Sequence, residues 1–335
     1  MPSTPTPGPD LDPAATDGGP GWQPRKASHA EEIAAGELWS PYSVRSEVAP
    51  LRAVLLSWPG DELAVEGDPD DQLMLERVDV AAIQTQAEGV ADAYRAEGVQ
   101  VHLYRPESRP PPNLIFMRDL FFMTPEGVIL ARPAARQRAG EERFAAQALT
   151  RAGVPILRTL RGRATFEGAD ALWLDADTVL VGVGLRTNDE AFVELKEALA
   201  AQGVTARAIA MPAGVQHLLG LVNFLDDDLA VLDGGKAPSR LKVFLASHGI
   251  ETLTVAPGDE LDRGRGMNFV TLAPRRVLMP AGCPGIRGQL EGAGVEVVEA
   301  EVGEYLKAAG ALGCLTGILS RESSNVEQPV VTRRP

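Results

Sequence analysis

Short apolar runs alternate with helix-like stretches along most of the chain. Helical periodicity covers stretches such as 78–97 and 141–152. The apolar runs are rich in valine, isoleucine and leucine, which is typical of buried strands, and the first of them, at 53–57, closes at a Pro-Gly turn. They read VLLSW, VQVHLY, LIFM, GVILA, TVLVGVG, LAVL, RVLMP and VEVVE. This alternation predicts an α/β domain.

The two ends of the chain lack this pattern. Residues 1–41 are rich in Pro, Gly, Ser, Ala and Asp and show no hydrophobic periodicity, so they would bury too little apolar surface to offset their ordering entropy. The last segment, SSNVEQPVVTRRP, is mostly polar. We therefore predict a disordered N-terminal tail over 1–41, a single folded domain over 42–322 and a frayed C-terminal tail over 323–335.

Composition narrows the classes of ligand. The 335 residues are 44% hydrophobic, enough for a sizeable core, and the net charge of -14 disfavours nucleic acid and anionic membranes while attracting small cations. The chain shows no signal-like N-terminus and no run of about 18 apolar residues. We expect a soluble, cytoplasmic protein with a small-molecule ligand, no nucleic acid partner and no membrane association. Assembly into a homo-oligomer is compatible with the sequence.

Two cysteines are present, too few for a disulfide framework, and neither lies in a CxxC motif or a Cys/His cluster with metal-ligand spacing. Cys314 lies in KAAGALGCLTGIL, where small residues lead into an apolar strand-like run. That context suits a nucleophilic thiol, and a buried structural cysteine is the alternative. Cys283, between proline and glycine turns in PAGCPGIR, has no stronger case.

Of the four histidines, His217 is the best candidate for acid-base chemistry. His29 falls in the predicted tail, His102 alternates within a strand-like run, and His248 lies beside a glycine at a predicted helix end. His217 opens an apolar run in MPAGVQHLLGLVNFL, where an imidazole could serve a distant cysteine as general acid and base. A hydrogen-bonded core histidine is the alternative interpretation.

Carboxylates occur within otherwise apolar segments at two places. Asp119 lies in NLIFMRDLFF, and Glu167 and Asp170 lie in FEGADALWL, where a glycine permits close approach. Half-buried charges of this kind must be paired. A planar guanidinium is one partner that such carboxylates could hold, because it requires a rigid pair of acceptors. The alternatives are an internal ion pair between Arg118 and Asp119 and a carboxylate that merely stabilises a turn.

Two arginines follow strand-like runs and could hold a substrate carboxylate. Arg132 lies in LARPAARQRAGEE and Arg186 in GVGLRTNDE. Solvated surface arginines are the alternative. The GVG stretch lacks the remainder of a GxGxxG fingerprint and its following helix, so we expect no nucleotide cofactor.

Taken in order, NLIFMRD, FEGAD, GVGLRTN, QHL and AAGALGCLT resemble the motifs of the guanidine-modifying superfamily. This superfamily comprises arginine deiminases, dimethylarginine dimethylaminohydrolases, arginine dihydrolases and amidinotransferases, and the resemblance spans roughly residues 50–320. It implies a pentein fold, a five-bladed pseudo-symmetric α/β propeller of ββαβ repeats, with residues 42–322 as a single catalytic domain around a central site.

The resemblance also implies roles for individual residues. Cys314 would be the nucleophile, His217 the general acid and base, and Glu167 the carboxylate that holds the guanidinium and orients the site. The substrate-binding residues implied by the motifs are Asp119, Asp170, Arg132, Arg186 and Asn268. No metal and no cofactor are implied.

The implied reaction is hydrolysis of a guanidino C–N bond of arginine or an N-methylated arginine. A covalent thiouronium on the cysteine would give citrulline and an amine or ammonia. Deiminases and many amidinotransferases carry an aspartate two residues after the histidine, where this chain has Leu219. An apolar residue there favours an alkylated nitrogen, although the MRD motif is closer to deiminases and amidinotransferases. An amidinotransferase and a non-catalytic guanidine-binding protein remain the alternatives.

Overall fold

The computed structural model describes residues 12–322, which form five separate three-stranded sheets. Four sheets contain three consecutive strands, and the fifth joins the last strand to the first two. The strands are β1 (Leu51–Ser57), β2 (Gln100–Tyr104), β3 (Phe121–Thr124), β4 (Gly127–Leu130), β5 (Ile156–Thr159), β6 (Ala171–Asp175), β7 (Thr178–Val183), β8 (Thr205–Ala210), β9 (Val222–Asp226), β10 (Leu229–Asp233), β11 (Glu251–Val255), β12 (Val270–Ala273), β13 (Arg276–Pro280), β14 (Glu296–Ala300) and β15 (Gly317–Arg321).

Every sheet has the same internal order. An antiparallel pair is followed by a parallel pair, and a helix connects the two parallel strands, as a parallel crossover requires. The α-helices are α1 (His29–Ala35), α2 (Val80–Ala96), α3 (Glu141–Arg151), α4 (Asp189–Ala200), α5 (Ser239–Ser247), α6 (Asp259–Asp262), α7 (Pro284–Gly292), α8 (Gly303–Lys307) and α9 (Leu312–Leu315). These five repeats confirm the predicted propeller of ββαβ units.

The unit that contains β6, β7 and β8 shows how the sequence builds a blade. Asn188 caps α4, because its side chain accepts a hydrogen bond from the amide of Ala191. Ala191, Leu195 and Leu199 recur every fourth residue and are fully buried. This spacing gives α4 one apolar face, which packs on β7 and β8. The blade therefore buries one face of its crossover helix against its own parallel strands.

One predicted strand is wrong. The apolar run LIFM forms no strand and instead spans two 3₁₀ turns, Pro112–Ile115 and Met117–Asp119. Three prolines at 110–112 precede it, and a proline at the first position fits a 3₁₀ turn while removing a donor from any ladder. The run is nevertheless buried, so its residues are apolar because they pack in the core and not because they form a strand.

The N-terminal segment also differs from its prediction, because residues 29–35 form a helix. Ser28 and Glu31 build a capping box at the start of α1. Ile33 on this helix is buried. Reciprocal capping supplies hydrogen bonds that composition alone does not indicate, so the segment is ordered despite its lack of extended periodicity. The predicted disorder of 1–41 is therefore wrong for this part of the tail.

Residues 1–11 and 323–335 lie outside the described residues, so the predictions for both termini stay predictions there. Within 12–322, no helix combines the length and hydropathy needed to cross a membrane. Antiparallel pairing of β15 with β1 joins the C-terminal end of the described chain to its first blade. Because this pairing joins the two ends of the propeller, we propose that 42–322 is one domain.

Candidate active site

A polar residue lies in the turn before the first strand of each blade. These residues recur at intervals of roughly 50 positions, one for each repeat of the fold. Because equivalent turns of a propeller face its axis, side chains that are distant in sequence can meet there. The five residues are Asp119 before β3, Glu167 before β6, His217 before β9, Asn268 before β12 and Cys314 before β15.

Asn268 holds the turn that carries the thiol. Its Nδ2 donates to Sγ of Cys314 at 3.2 Å, and its Oδ1 accepts from the Cys314 amide at 3.1 Å. Its backbone carbonyl accepts from the amide of Gly313 at 2.9 Å. Three bonds from one residue therefore fix α9 relative to the neighbouring blade. Cys314 itself is half-buried and leads into β15, as the small-residue pattern indicated.

A buried imidazole lies between two carboxylates. Nε2 of His217 is 2.6 Å from Oε2 of Glu167, and its Nδ1 is 3.8 Å from Oδ1 of Asp119. Burial disfavours the imidazolium, but the charge of Asp119 and the hydrogen bond to Glu167 outweigh it and raise the pKa of His217. The imidazole is therefore suited to carry a proton near neutral pH.

Gly168 allows the Glu167 turn to approach the neighbouring blade. A Cβ at this position would lie 2.5 Å from the carbonyl oxygen of Arg118 and 2.2 Å from that of Phe121. Only glycine fits between these two carbonyls and the turn. The glycine in FEGAD thus has the close-approach role that the sequence indicated.

Arg138 is a central residue that the sequence analysis missed. Its Nη1 donates to Asp119 at 2.6 Å and to Glu167 at 3.3 Å, and its Nη2 donates to Glu141 at 2.8 Å. The side chain is 2% exposed. Burial raises the pKa of Glu141 to about 7 even though Arg138 opposes the shift. One guanidinium thus links the two carboxylates of the site to a third one behind them.

The alternative of an ion pair between Arg118 and Asp119 is wrong. Arg118 pairs with Glu47 at 3.3 Å, on the other side of the turn, while Asp119 faces Arg138. Consecutive residues in the 3₁₀ turn therefore point to different clusters of charge.

The predicted arginine pair is split in the structure. Nη1 of Arg186 lies 3.1 Å from both carboxylate oxygens of Glu167. Nη1 of Arg132 donates instead to the carbonyl of Ala164 at 2.9 Å, and the Arg132 backbone pairs with Phe166. The structure brings Arg186 to the site and does not bring Arg132 there, because the Arg132 side chain bridges the loop before the Glu167 turn.

Asp170 lies behind the site rather than in it. Its carboxylate accepts from Oγ1 of Thr187 at 2.6 Å and from the amide of Leu218 at 2.9 Å. Burial raises the pKa of Asp170 to about 6, against the opposing effects of His217 and these hydrogen bonds. The bond to Leu218 fixes the turn that follows His217. Asp170 therefore positions the imidazole, which differs from the predicted contact with substrate.

Two cavities meet at the thiol. The outer cavity has a volume of about 220 Å³ and the inner one about 10 Å³, and both are lined by Gln216 and Cys314. The outer cavity is also lined by His217, Leu219, Asp233, Lys236, Asp262, Arg265 and Asn268. The inner cavity is also lined by Asn113, Phe116, Asp119, Arg138 and Arg186. Gln216, although it lies in the QHL motif, and Arg265 were not predicted as site residues.

The inner cavity, with a volume of about 10 Å³, offers an acceptor to a donor group of a cationic ligand rather than room for the whole ligand. Oδ1 of Asp119 is buried and has no hydrogen-bond partner among the described residues. A buried acceptor in this state favours a ligand that donates hydrogen bonds. Burial and the charge of Asp119 raise the pKa of Cys314, against smaller opposing effects of Arg265 and Asn268. A cationic ligand beside the thiol would reverse this shift by favouring the thiolate.

The same side chains have a spacing that could suit a metal ion. Ligand atoms of Asp119, Glu167 and His217 lie within 4.8 Å of one another. Arg138 and Arg186 both donate to Glu167, however, and their positive charges oppose a divalent cation at this point. Both oxygens of Glu167 are already engaged by Arg138, Arg186 or His217, so this set of side chains does not fit a metal ion.

Comparison with known proteins identifies the family. The family model described as arginine deiminase matches residues 62–235. A dimethylarginine dimethylaminohydrolase from Streptomyces coelicolor is 27% identical over 244 residues, which cover 72% of this chain and 87% of that protein.

Solved structures show the same fold. A Cys→Ser variant of dimethylarginine dimethylaminohydrolase from Pseudomonas aeruginosa, complexed with citrulline, has a TM-score of 0.67 at 21% identity and covers 82% of this chain and 100% of that one. An amidinotransferase of saxitoxin biosynthesis from Microseira wollei has a TM-score of 0.66 at 15% identity, covering 86% and 99%. With five ββαβ repeats and a family match over half its length, the chain has the pentein fold and belongs to the arginine deiminase family of guanidine-modifying enzymes.

Proposed function

We propose that the protein hydrolyses a guanidino C–N bond of arginine or an N-methylated arginine to give citrulline and ammonia or an amine. The observation that carries this proposal is the convergence of Cys314, the pair His217–Glu167 and the buried acceptor of Asp119 on adjoining cavities. This arrangement offers a nucleophile, a proton donor and a negative site for a planar cation. Homologues named dimethylarginine dimethylaminohydrolase and arginine deiminase support the same chemistry.

Substrate binding would activate the nucleophile. Asp119 holds the guanidinium through charge-assisted hydrogen bonds to its Oδ1. The positive charge of the substrate then counteracts burial and Asp119, which keep the Cys314 thiol protonated when the site is empty. Thiolate forms chiefly when substrate is present, which limits reaction of the thiol with other electrophiles.

Two half-reactions complete the cycle. The Cys314 thiolate forms an S–C bond to the guanidinium carbon, and the C–N bond to the leaving amine breaks as the His217 imidazolium gives that nitrogen its proton. A thiouronium remains on the cysteine. His217, now neutral, takes a proton from water, whose oxygen bonds to the same carbon and displaces the thiolate. Glu167 stabilises the imidazolium through its 2.6 Å contact.

Leu219 favours an alkylated substrate. It is 4% exposed and lines the outer cavity near the thiol, two residues after the imidazole. A methyl group on the guanidine would bury against this side chain, whereas an unsubstituted nitrogen would lose a hydrogen-bond partner there. The methylarginine-type reaction is therefore the preferred form of this proposal.

An amidinotransferase is the second candidate. It would use the same cysteine and histidine and pass the amidino group to an amine, and a transferase shares this fold. The outer cavity of about 220 Å³ has room for an acceptor beside the thiol. A guanidine-binding protein without catalysis would retain the cavities but show no turnover.

Product analysis separates these functions. Purified protein is incubated separately with arginine, monomethylarginine and asymmetric dimethylarginine, each with and without glycine, and products are identified by mass spectrometry. We expect citrulline without added amine, formed fastest from a methylated substrate. Ornithine that forms only with an acceptor would establish the transferase, and binding without any product would establish the non-catalytic protein.

The covalent step is tested with the same assay on two cysteine variants. Cys314→Ser should lose at least about 10²-fold in turnover, because a serine hydroxyl is far less ionised than a thiol. Cys283→Ser is the matched control, since Cys283 is buried away from both cavities. Full turnover by Cys314→Ser would eliminate the covalent mechanism.

A further inference from the structure

A second cluster of buried charges lies on the other side of the Met117–Asp119 turn. Arg118, Arg321 and Glu47 line a small cavity that shares no residue with the two cavities at the thiol. Arg118 is 8%, Glu47 8% and Arg321 4% exposed. The cluster is therefore buried, like the active-site charges, and separate from them.

The charges of this cluster do not balance. Nη2 of Arg118 lies 3.3 Å from both oxygens of Glu47, and the amide of Trp173 donates to the same carboxylate at 3.1 Å. Glu47 is thus satisfied by Arg118 and a backbone amide. Arg321 adds a second positive charge, and the one hydrogen bond of its side chain to the described residues runs from Nη1 to the carbonyl of Ala49 at 2.6 Å.

Arg321 lacks the partners that a buried guanidinium requires. Its Nε is buried and has no hydrogen-bond partner among the described residues, although a guanidinium carries five donors. Burial and the neighbouring charge of Arg118 lower the pKa of Arg321 to about 10, despite the attraction of Glu47. A buried cation in this state is stabilised by an additional negative charge.

The size and lining of the cavity limit which anion can supply this negative charge. Its volume is about 10 Å³, which has room for a single small occupant, and apolar side chains such as Phe122 and Trp173 form much of its wall. A water molecule would accept hydrogen bonds from Arg321 but would leave the net positive charge unbalanced. We propose that this cavity binds one monatomic anion of chloride size, held by Arg118 and Arg321.

Bromide locates such a site directly. Crystals of the wild-type protein grown in sodium bromide should show one anomalous difference peak in this cavity, within hydrogen-bond distance of both guanidiniums. Crystals grown in sodium gluconate should show none, because they contain no bromide. Absence of a bromide peak in the wild-type protein, or a carboxylate of the chain itself at this position, would overturn the proposal.

Stability in solution tests the same site without crystals. At constant ionic strength, with gluconate replaced by chloride, the thermal unfolding midpoint should rise by about 2 °C for each tenfold increase in chloride above its dissociation constant. Arg321→Gln should remove this dependence, whereas the matched control Arg95→Gln, at an exposed position of α2, should keep it. A thermal unfolding midpoint of the wild-type protein that does not change with chloride would overturn the proposal even if Arg321→Gln does not fold.

Discussion

Nε2 of His217 lies 2.6 Å from Oε2 of Glu167, and both side chains are buried at the axis of the propeller. Burial raises the pKa of Glu167, but Arg138 and His217 outweigh it, so its pKa is lowered. The glutamate therefore stays ionised and keeps the imidazole protonated. Glu167 therefore contributes, together with Asp119 and Asp170, to the charge on His217, and mutation can test its share.

Glu167→Gln should move the alkaline limb of the kcat/KM profile to lower pH. A general acid loses activity as pH rises through its pKa, and loss of the carboxylate lowers the pKa of His217, so the loss begins earlier. At pH 8 we expect kcat to fall about 10²-fold, because proton donation to the leaving amine weakens. The measurement is the initial rate of citrulline formation from pH 5 to 10.

Glu190→Gln is the matched control, since Glu190 is an exposed carboxylate in the first turn of α4. Its profile should equal that of the wild type. If the alkaline limb of Glu167→Gln does not move, Asp119 and Asp170 rather than Glu167 set the charge on the imidazole.

Asp119→Asn should make the Cys314 thiol more reactive and the affinity for substrate weaker. Because the Asp119 charge raises the pKa of Cys314, its removal should let the thiol ionise at lower pH and react faster with iodoacetamide near neutrality. Asparagine keeps an amide oxygen but loses the negative charge, so KM should rise at least about tenfold, since a hydrogen bond to a charged group contributes about 1.5–3 kcal/mol. Alkylation rates against pH and steady-state kinetics give the two readouts.

Asp92→Asn serves as the control, because Asp92 is an exposed residue of α2. A variant at Asp119 that alkylates no faster than this control would show that burial alone raises the pKa of Cys314. An unchanged KM would place the guanidinium away from Asp119.

The α/β class was predictable from the sequence because strand and helix patterns are local, whereas the five-bladed propeller was predicted from the family resemblance. Val, Ile and Leu runs and amphipathic stretches identified seven of the fifteen strands and the helices α2 and α3. The site depends on tertiary packing, and there prediction was weaker. Arg132 and Arg138 lie in one short segment after β4, and only packing against Asp119 and Glu167 decides that the second guanidinium turns inward. No local pattern distinguishes them.

The turn residues were predictable for a different reason. Cys314, His217 and Glu167 each stand beside glycine or apolar residues at the entrance of a strand, and their order along the chain carries the family resemblance. Asp170 shares such a motif, yet its carboxylate faces the amide of Leu218 instead of the cavity. A motif therefore predicts which turn forms part of the site but not which side chain of that turn faces the ligand.

Leu219→Asp should shift the substrate preference toward unsubstituted arginine. A carboxylate here would offer an ionic partner to the second nitrogen of the guanidinium, and a methyl group would be excluded from the same place. We expect the ratio of kcat/KM for arginine over asymmetric dimethylarginine to rise at least about tenfold. Competition between the two substrates, with both products measured by mass spectrometry, gives this ratio.

Leu219→Asn has nearly the same shape without the charge and is the control. If Leu219→Asn shows the same shift, the size of the side chain rather than its charge sets the preference. If Leu219→Asp shows no shift, Leu219 does not select the substrate.

Arg138→Met should destabilise the protein more than any change at an exposed ion pair. Removing the guanidinium leaves Asp119, Glu167 and Glu141 without their shared partner, and breaking a buried pair in this way costs about 3–5 kcal/mol. Because Arg138 opposes the rise in the pKa of Glu141, the variant should raise this pKa further above its unfolded value. The folded state then binds more protons than the unfolded state, so the loss should shrink as pH falls from 8 to 5.5. Urea unfolding at both pH values measures this difference. Arg151→Met, which breaks an exposed pair with Glu107, should cost about 0–1 kcal/mol at either pH. Equal costs for the two variants would show that the Arg138 cluster does not stabilise the fold.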